Sequence, residues 1–459
     1  MGSRKIEMCQ GPVGRNMFRY AIPVFLMGLV QQGFQMVDSI LAGQISTSGS
    51  NAVTAVGATA ALTSMMINFF IGCATGSAVT VSHAVGGGNK TVIQKTVHTA
   101  MLLSVVLGAV LTALGFFLSE TMLEMMSTPE DILGLATSYL RTYFLGMIPY
   151  MVYNFGAAIL NTIGENKKPL YFLLISGPAK ILLTLLFVSG LQMDVAGLAL
   201  ATTLSQIVSA VLVTVSLMKR TDACKLQLSE LKISGQHLGK ILALGIPSGI
   251  QAATFSLSNV LIQTSVNSLS HINGFVTGNA AASSIMGVAD VMTATFYQTT
   301  MAFTGQNVGA QRYDRVKKVF HWGNILSCVS VFLLSATVVL LGEPLLRLYI
   351  TDSEEAIRWG MVRLYFIFTP LIFQGLMDVL CGAVRGMGTS TASMVICLVG
   401  ICGVRSLWLI TVFQIPAYHT PQALFSIYPI SWIVTTGALY VLYRHIYRKQ
   451  TRQFVPQTA

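Results

Sequence analysis

Charge is scarce in this chain: Asp, Glu, Lys and Arg together make up 10% of 459 residues, and only 17 residues are acidic. So few charges exclude a domain solvated on all sides. With 53% hydrophobic residues and a mean hydropathy of +0.67, they place the chain in a bilayer. Short alternating strands are missing too, which excludes a transmembrane β-barrel. What the chain has instead is long apolar stretches, each able to cross about 30 Å of hydrocarbon as a helix with every backbone group satisfied internally. They predict twelve spans, at about residues 17–43, 52–83, 94–118, 133–163, 169–190, 195–218, 238–269, 277–305, 318–341, 356–384, 391–413 and 423–445.

Other absences narrow the function. The seven cysteines (Cys9, Cys73, Cys224, Cys328, Cys381, Cys397 and Cys402) form no CxxC pair and no cluster with the seven histidines, so packing thiols are expected and no metal site. His83, at the end of a span, reads as a helix-end residue. No Walker A sequence or selectivity-filter motif occurs, which removes ATP-driven transport and a K⁺-type channel. Neither GxSxG nor HExxH is found, and no paired carboxylates stand on neighbouring turns, so no enzyme and no organic cofactor are expected. A cleavable signal peptide is not expected, since Arg4, Lys5, Arg15 and Arg19 run straight into a full-length span.

The 28 Lys and Arg residues give the orientation. Most fall at the two ends and in "GGGNK", "ENKKP", "MKRTDACK", "AQRYDRVKK" and "RGMG", whereas "STPED" and "TDSEE" lie on the other side. Both termini are therefore expected in the cytoplasm, with the protein multi-pass in the cell membrane. Because these charges are scattered over short loops, the net charge of +11 is read as topology and not as a nucleic-acid surface.

The chain repeats itself at an offset of about 224 residues. Ile22-Pro23 matches Ile246-Pro247, Val85-Gly86 matches Val308-Gly309, Arg141 matches Arg363 and Gly164 matches Gly388. This predicts an all-α polytopic protein of twelve transmembrane helices in two six-helix bundles. An even number of spans per half makes them parallel repeats. The expected layout is a cytoplasmic N-terminus (1–16), an N-lobe (17–218), a cytoplasmic linker (219–237), a C-lobe (238–445) and a cytoplasmic tail (446–459). Two such bundles suit alternating access driven by an ion gradient.

Six stretches in this order carry a family resemblance: Pro23 to Asp38, "GSAVTVSHAVGGG", "IGENKKPLYFLLISG", "DVAGLALATTLSQ", "TGQNVGAQ" and "AVRGMGTS". The sequence resembles the multidrug and toxic compound extrusion family of secondary transporters over nearly its whole length. The resemblance implies a V-shaped central cavity and efflux of varied organic compounds, often cationic, in exchange for H⁺ or Na⁺. The partners expected are small organic substrates and the lipid bilayer, with no nucleic acid, and a monomer. The alternative within transport is a lipid-linked oligosaccharide flippase of the same helix arrangement.

Ionisable residues inside the membrane are functional candidates by their cost. Three acids lie there, Asp38, Asp290 and Asp378. The resemblance makes Asp38 a cation or proton site, with Gln35 beside it, and makes Thr202 its partner on the sixth span. On the fifth span this chain departs from the family: Lys180 stands where an asparagine is usual, and Thr184, one turn later, where an acidic or amide residue is usual. Lys180 lies about 16 Å of helix from either end of its span, too deep to snorkel. Pairing with Asp38 is the least costly arrangement, and two readings follow. A permanent pair takes the place of a coupling cation; a pair broken during the cycle makes Lys180 a proton carrier or an anchor for an anionic substrate group.

In the second half the candidates are Asp290, Asp378, Arg405 and Asn259, with Asp378 the expected counter-charge of Arg405. Met27, Phe34, Tyr139, Tyr150, Phe255 and Met286 are candidate apolar walls of an adaptable cavity.

Overall fold

The computed structural model describes residues 5–45, 50–126, 128–351 and 353–454; within the first two helices, the side chains of residues 35, 38–40, 42–45, 50–53, 58 and 60–62 are outside the described set. Among the described residues all regular structure is helical. The first half holds α1 (Val13–Ile45), α2 (Ser50–Gly87), α3 (Lys90–Met125), α4 (Glu130–Leu145), α5 (Met147–Thr162), α6 (Lys167–Thr184) and α7 (Asp194–Met218). The second half holds α8 (Gly235–Ser268), α9 (Phe275–Gly309), α10 (Tyr313–Arg347), α11 (Glu354–Phe368), α12 (Leu371–Gly386), α13 (Ser390–Cys397), α14 (Val404–Ile410), α15 (Pro421–Phe425) and α16 (Ile427–Phe454).

Every predicted span is helical, and the departures recur in both halves. The fourth span of each is bent: α4 and α5 meet at 47° and α11 and α12 at 45°. Gly146 ends α4, and Pro370 stands at the start of α12, where its missing N–H breaks the ladder. The fifth span of each half contains a π-helical segment, Leu185–Gly190 after α6 and Leu398–Gly403 between α13 and α14. Gly164 and Gly388, matched by the sequence repeat, both sit at φ +84° in the turn before the fifth span, where a side chain would be strained. Eight described helices are long and apolar enough to cross a membrane, and ten if each bent pair is one span. The two segments outside that count, α1 and α9, are long at 33 and 35 residues. In α9 the reason is plain: Asn279, Asp290, Thr293, Thr299, Thr300 and Gln306 interrupt its apolar surface.

Contacts divide the chain into two compact units: Met1–Ile6 with Leu26–Gly249, and Glu7–Phe25 with Ile250–Ala459. This differs from the expected boundaries, which assign the first and seventh spans whole. In the second unit, Tyr20 packs edge-to-face on Phe303 at 5.6 Å, and Ala21 packs with Phe296 and Val379, which draws the start of α1 there. In the first unit, Gly245 and Gly249 of α8 lie directly on the α2 backbone at Cys73 and Phe69. The helix of the last span, α16, continues into the expected tail as far as Phe454.

The linker, too, is ordered. Its backbone N–H groups at Gln227 and Ser234 donate to His98 Nε2 (3.0 Å) and Thr99 Oγ1 (3.1 Å) on α3. Arg220 fixes its start, with Nη1 2.8 Å from Glu165 Oε2 and Nε donating to Asp222 Oδ1 at 2.8 Å; Lys168 pairs with Glu165 at 2.6 Å. Burial raises the Glu165 carboxyl, but Lys168 and Arg220 outweigh it and hold it below the usual carboxylate range. Arg220 likewise holds Asp222 down. Carboxylates lowered in the folded state contribute stability above their unfolded pKa and lose it as pH falls through the folded one. We therefore expect Arg220→Met to cost about 2–3 kcal/mol at pH 7 by leaving two carboxylates short of a partner, with the difference from wild type fading below about pH 4. Thermal unfolding in detergent across pH measures both; a pH-independent loss contradicts the electrostatic account.

Candidate functional site

In the first unit the site face is set by a contact between α1 and α6. Gly177 has no side chain, and the Phe34 ring occupies that space: a Cβ there would fall 1.6 Å from Phe34 Cζ. The contact fixes the register of the two helices. One turn further along, α1 reaches position 38 and α6 reaches Lys180. Pro178 lies between, freeing a carbonyl on α6. Lys180 is half-buried, and Thr184, one turn beyond it, is buried with its hydroxyl unpaired among the described residues. An unpaired hydroxyl in that position is a donor and acceptor left available to an ion or water. The side chains of Asp38 and Gln35 lie outside the described residues.

A second grouping lies at the α4–α5 break. Tyr143, Gly146, Met147, Tyr150, Thr202, Thr203 and Gln206 line a small cleft there. Two sequence-predicted residues, Tyr150 and Thr202, thus come together, and the Thr202 hydroxyl donates to Leu198 O at 3.0 Å. Tyr139 stacks on Tyr143 at 5.9 Å. Lys180 and Thr184 are not in this lining. Met27 packs against the first unit's apolar core.

In the second unit, Asp290 is exposed and accepts from Gln374 Nε2 at 3.1 Å, while Gln374 also reaches Thr293 Oγ1 at 3.3 Å. Asp378 follows Gln374 by one turn of α12. The bonds of Gln374 to Asp290 and Thr293 join α12 to α9. The expected pairing of Arg405 with Asp378 is not found. Arg405 donates from Nε to Ser431 Oγ at 3.1 Å and lies over the Tyr428 ring at 4.5 Å, and Asp290 is the acid whose charge reaches it. The geometric reason is that α14 packs on α16, which carries both partners. Asn259 is exposed on α8, and Phe255 and Met286 pack on the apolar core.

Two further cations, Arg385 from the "RGMG" stretch and Arg363 from the tenth span, are buried. Arg385, at the end of α12, donates to Tyr297 (2.7 Å) and to Gln251 (2.6 Å), tying α12 to α9 and α8. Arg363 donates to the carbonyl (3.2 Å) and side-chain oxygens of Asn279 and lies 5.6 Å over the Phe425 ring. Arg385 stands seven residues after Asp378, on the same face of α12, and that spacing is the signal that reveals it.

The MatE family model matches residues 23–186 and again 247–408, beginning at the two prolines paired by the repeat. The chain is similar to two probable multidrug resistance proteins of Bacillus subtilis (strain 168): YoeA, at 25% identity over 95% of both chains, and YpnP, at 27% over 87% of this chain and 88% of that one. Its fold is similar to a solved outward-facing multidrug resistance MATE family transporter of the MOP superfamily, with a TM-score of 0.89 at 17% identity, covering 98% of this chain and 100% of that one. Matched in both halves, the chain belongs to the MatE family of multidrug efflux transporters.

Proposed function

We propose that the protein exports small organic molecules across the cell membrane in exchange for H⁺ or Na⁺, by alternating access, as a monomer with both termini in the cytoplasm. The observation that carries the coupling is the polar group on α6: Lys180 and the unpaired Thr184 hydroxyl, midway along a membrane-length helix and in register with position 38 of α1. A lysine at that depth needs a carboxylate or water, and an exchanger needs a group whose charge state follows the side to which it opens. In this reading the Lys180 ammonium neutralises Asp38 while the transporter is empty of its coupling ion. The flippase alternative finds no support in relatives named as multidrug resistance proteins.

Proteoliposomes loaded with a pH-sensitive or Na⁺-sensitive dye test the proposal. Ethidium added to one side is expected to drive movement of one of the two ions in the opposite direction. Ethidium transport with neither ion moving would refute the exchange.

A further inference from the structure

The three arginines buried in the second unit differ in what their outer nitrogens do. In Arg385 both Nη atoms donate to protein, to Tyr297 and Gln251. In Arg363 they donate to Asn279 and to Met286 Sδ. Arg405 is 7% exposed, and its hydrogen bonding to protein is confined to Nε, which donates to Ser431. Its Nη1 and Nη2 have no acceptor among the described residues, yet neither is sealed from solvent. The Tyr428 ring covers one face of the guanidinium at 4.5 Å. The group is thus held at its base and on its face, and its two Nη atoms are left without a protein acceptor among the described residues.

A guanidinium inside a span is costly without an anion. One already fixed by a hydrogen bond and a stacked ring has lost its rotamer freedom beforehand, and it presents two parallel N–H donors to a planar or tetrahedral oxyanion. Among the described residues no carboxylate contacts the fork. Asp290 makes no ion-pair contact with Arg405 and accepts from Gln374 instead. We propose that the outer edge of Arg405 binds a carboxylate or phosphate group of the transported compound, with Ser431 and Tyr428 holding the fork and Asp290 disfavouring a second negative charge. The proposal rests on the export reading and adds to it: compounds carrying a carboxylate or phosphate, zwitterions included, are among the molecules transported beside organic cations.

Binding is measured with the full chain in lipid nanodiscs, using the fluorescent acid 1-pyrenebutyrate and its methyl ester. The wild type is expected to prefer the acid by about tenfold, the value of one charge-assisted bidentate pair. Arg405→Gln should erase that preference and leave ester affinity unchanged, and Ser431→Ala should weaken it about threefold by freeing Nε. Asp290→Asn should tighten the acid and not the ester. Equal affinity for acid and ester in the wild type, or a preference that survives Arg405→Gln, overturns the proposal. If Arg405→Gln does not fold, Arg405→Lys decides: a point charge in place of the fork should lower the preference, and an unchanged preference overturns it. Nanodiscs with and without phosphatidylglycerol separate the two sources of phosphate; competition by that lipid with pyrenebutyrate assigns the fork to a headgroup and also overturns it. Failure here with ion exchange intact removes the anion site alone. Failure of ion exchange with the acid preference intact removes the export reading alone.

Discussion

Lys180→Asn is expected to reduce export in Na⁺-free medium by about a hundredfold, and the double change Asp38→Asn with Lys180→Asn to lose much less than the two single changes combined. The reason is the cost of a lone charge. A carboxylate at mid-membrane depth costs about 3 kcal/mol on insertion scales, and 1.4 kcal/mol is a factor of ten. Removing the ammonium leaves position 38 with that cost unless another cation arrives. Asparagine at position 180 is the residue the family resemblance leads one to expect, so Na⁺ is the cation most able to take the vacated place. Export by the Lys180→Asn protein should accordingly recover as Na⁺ is supplied, whereas the wild type should not respond. Ethidium accumulation in cells, corrected for the amount of folded protein, gives the four corners of the cycle. Additive losses would show that the two residues act separately.

The same substitution separates the two roles open to Lys180. A permanent ion pair with Asp38 carries no coupling, so the double variant keeps the ion flux and the uphill transport of the wild type. An ammonium that leaves Asp38 during the cycle makes the double variant lose the proton flux of the wild type together with uphill transport. The Phe34 ring on Gly177 gives both readings the same starting geometry, because it sets which turn of α6 lies level with position 38.

The sequence made the helices and their repeat legible because both are written in local patterns. Twelve apolar runs need only length, and the paired Ile-Pro, Val-Gly and Gly positions need only alignment. Burial cost singles out Lys180 as a candidate from the sequence alone, whereas Asp290, chosen on the same ground, is exposed. It was not legible where it depends on which helices touch. Arg405 pairs with Ser431 and Tyr428 because α14 packs on α16, and no spacing in the chain announces that neighbour. Arg385 reads as a surface charge because it stands in the "RGMG" stretch, yet hydrogen bonds to Gln251 and Tyr297 allow it inside. The division of α1 and α8 between two units has the same cause. A continuous apolar run does not show where its packing partner changes.

That division also sets the largest structural prediction, on a pattern plain in the sequence once its use is known. Gly72 and Gly76 on α2 and Gly245 and Gly249 on α8 are each four residues apart, and they face one another in the first unit. In lipid no hydrophobic gain drives helices together, so association depends on close backbone packing, which small residues permit. A Cβ on Gly249 would lie 2.3 Å from the Phe69 carbonyl oxygen, and one on Gly72 would lie 2.2 Å from the Gly249 nitrogen. Both obstacles are backbone, so no rotamer change relieves them. Gly249→Leu is therefore expected to cost more than the usual overpacking range of about 1–3 kcal/mol and to abolish export, and Gly249→Ala to fall within that range. On the same helix, Gly239 has no atom within 4 Å of an added Cβ, and there Gly→Ala should be neutral or stabilise by up to about 1 kcal/mol through helix propensity. Thermal unfolding of the three purified variants in one detergent makes the comparison. Equal midpoints for Gly249→Ala and Gly239→Ala would mean that the α2 and α8 backbones do not meet as closely as these positions require.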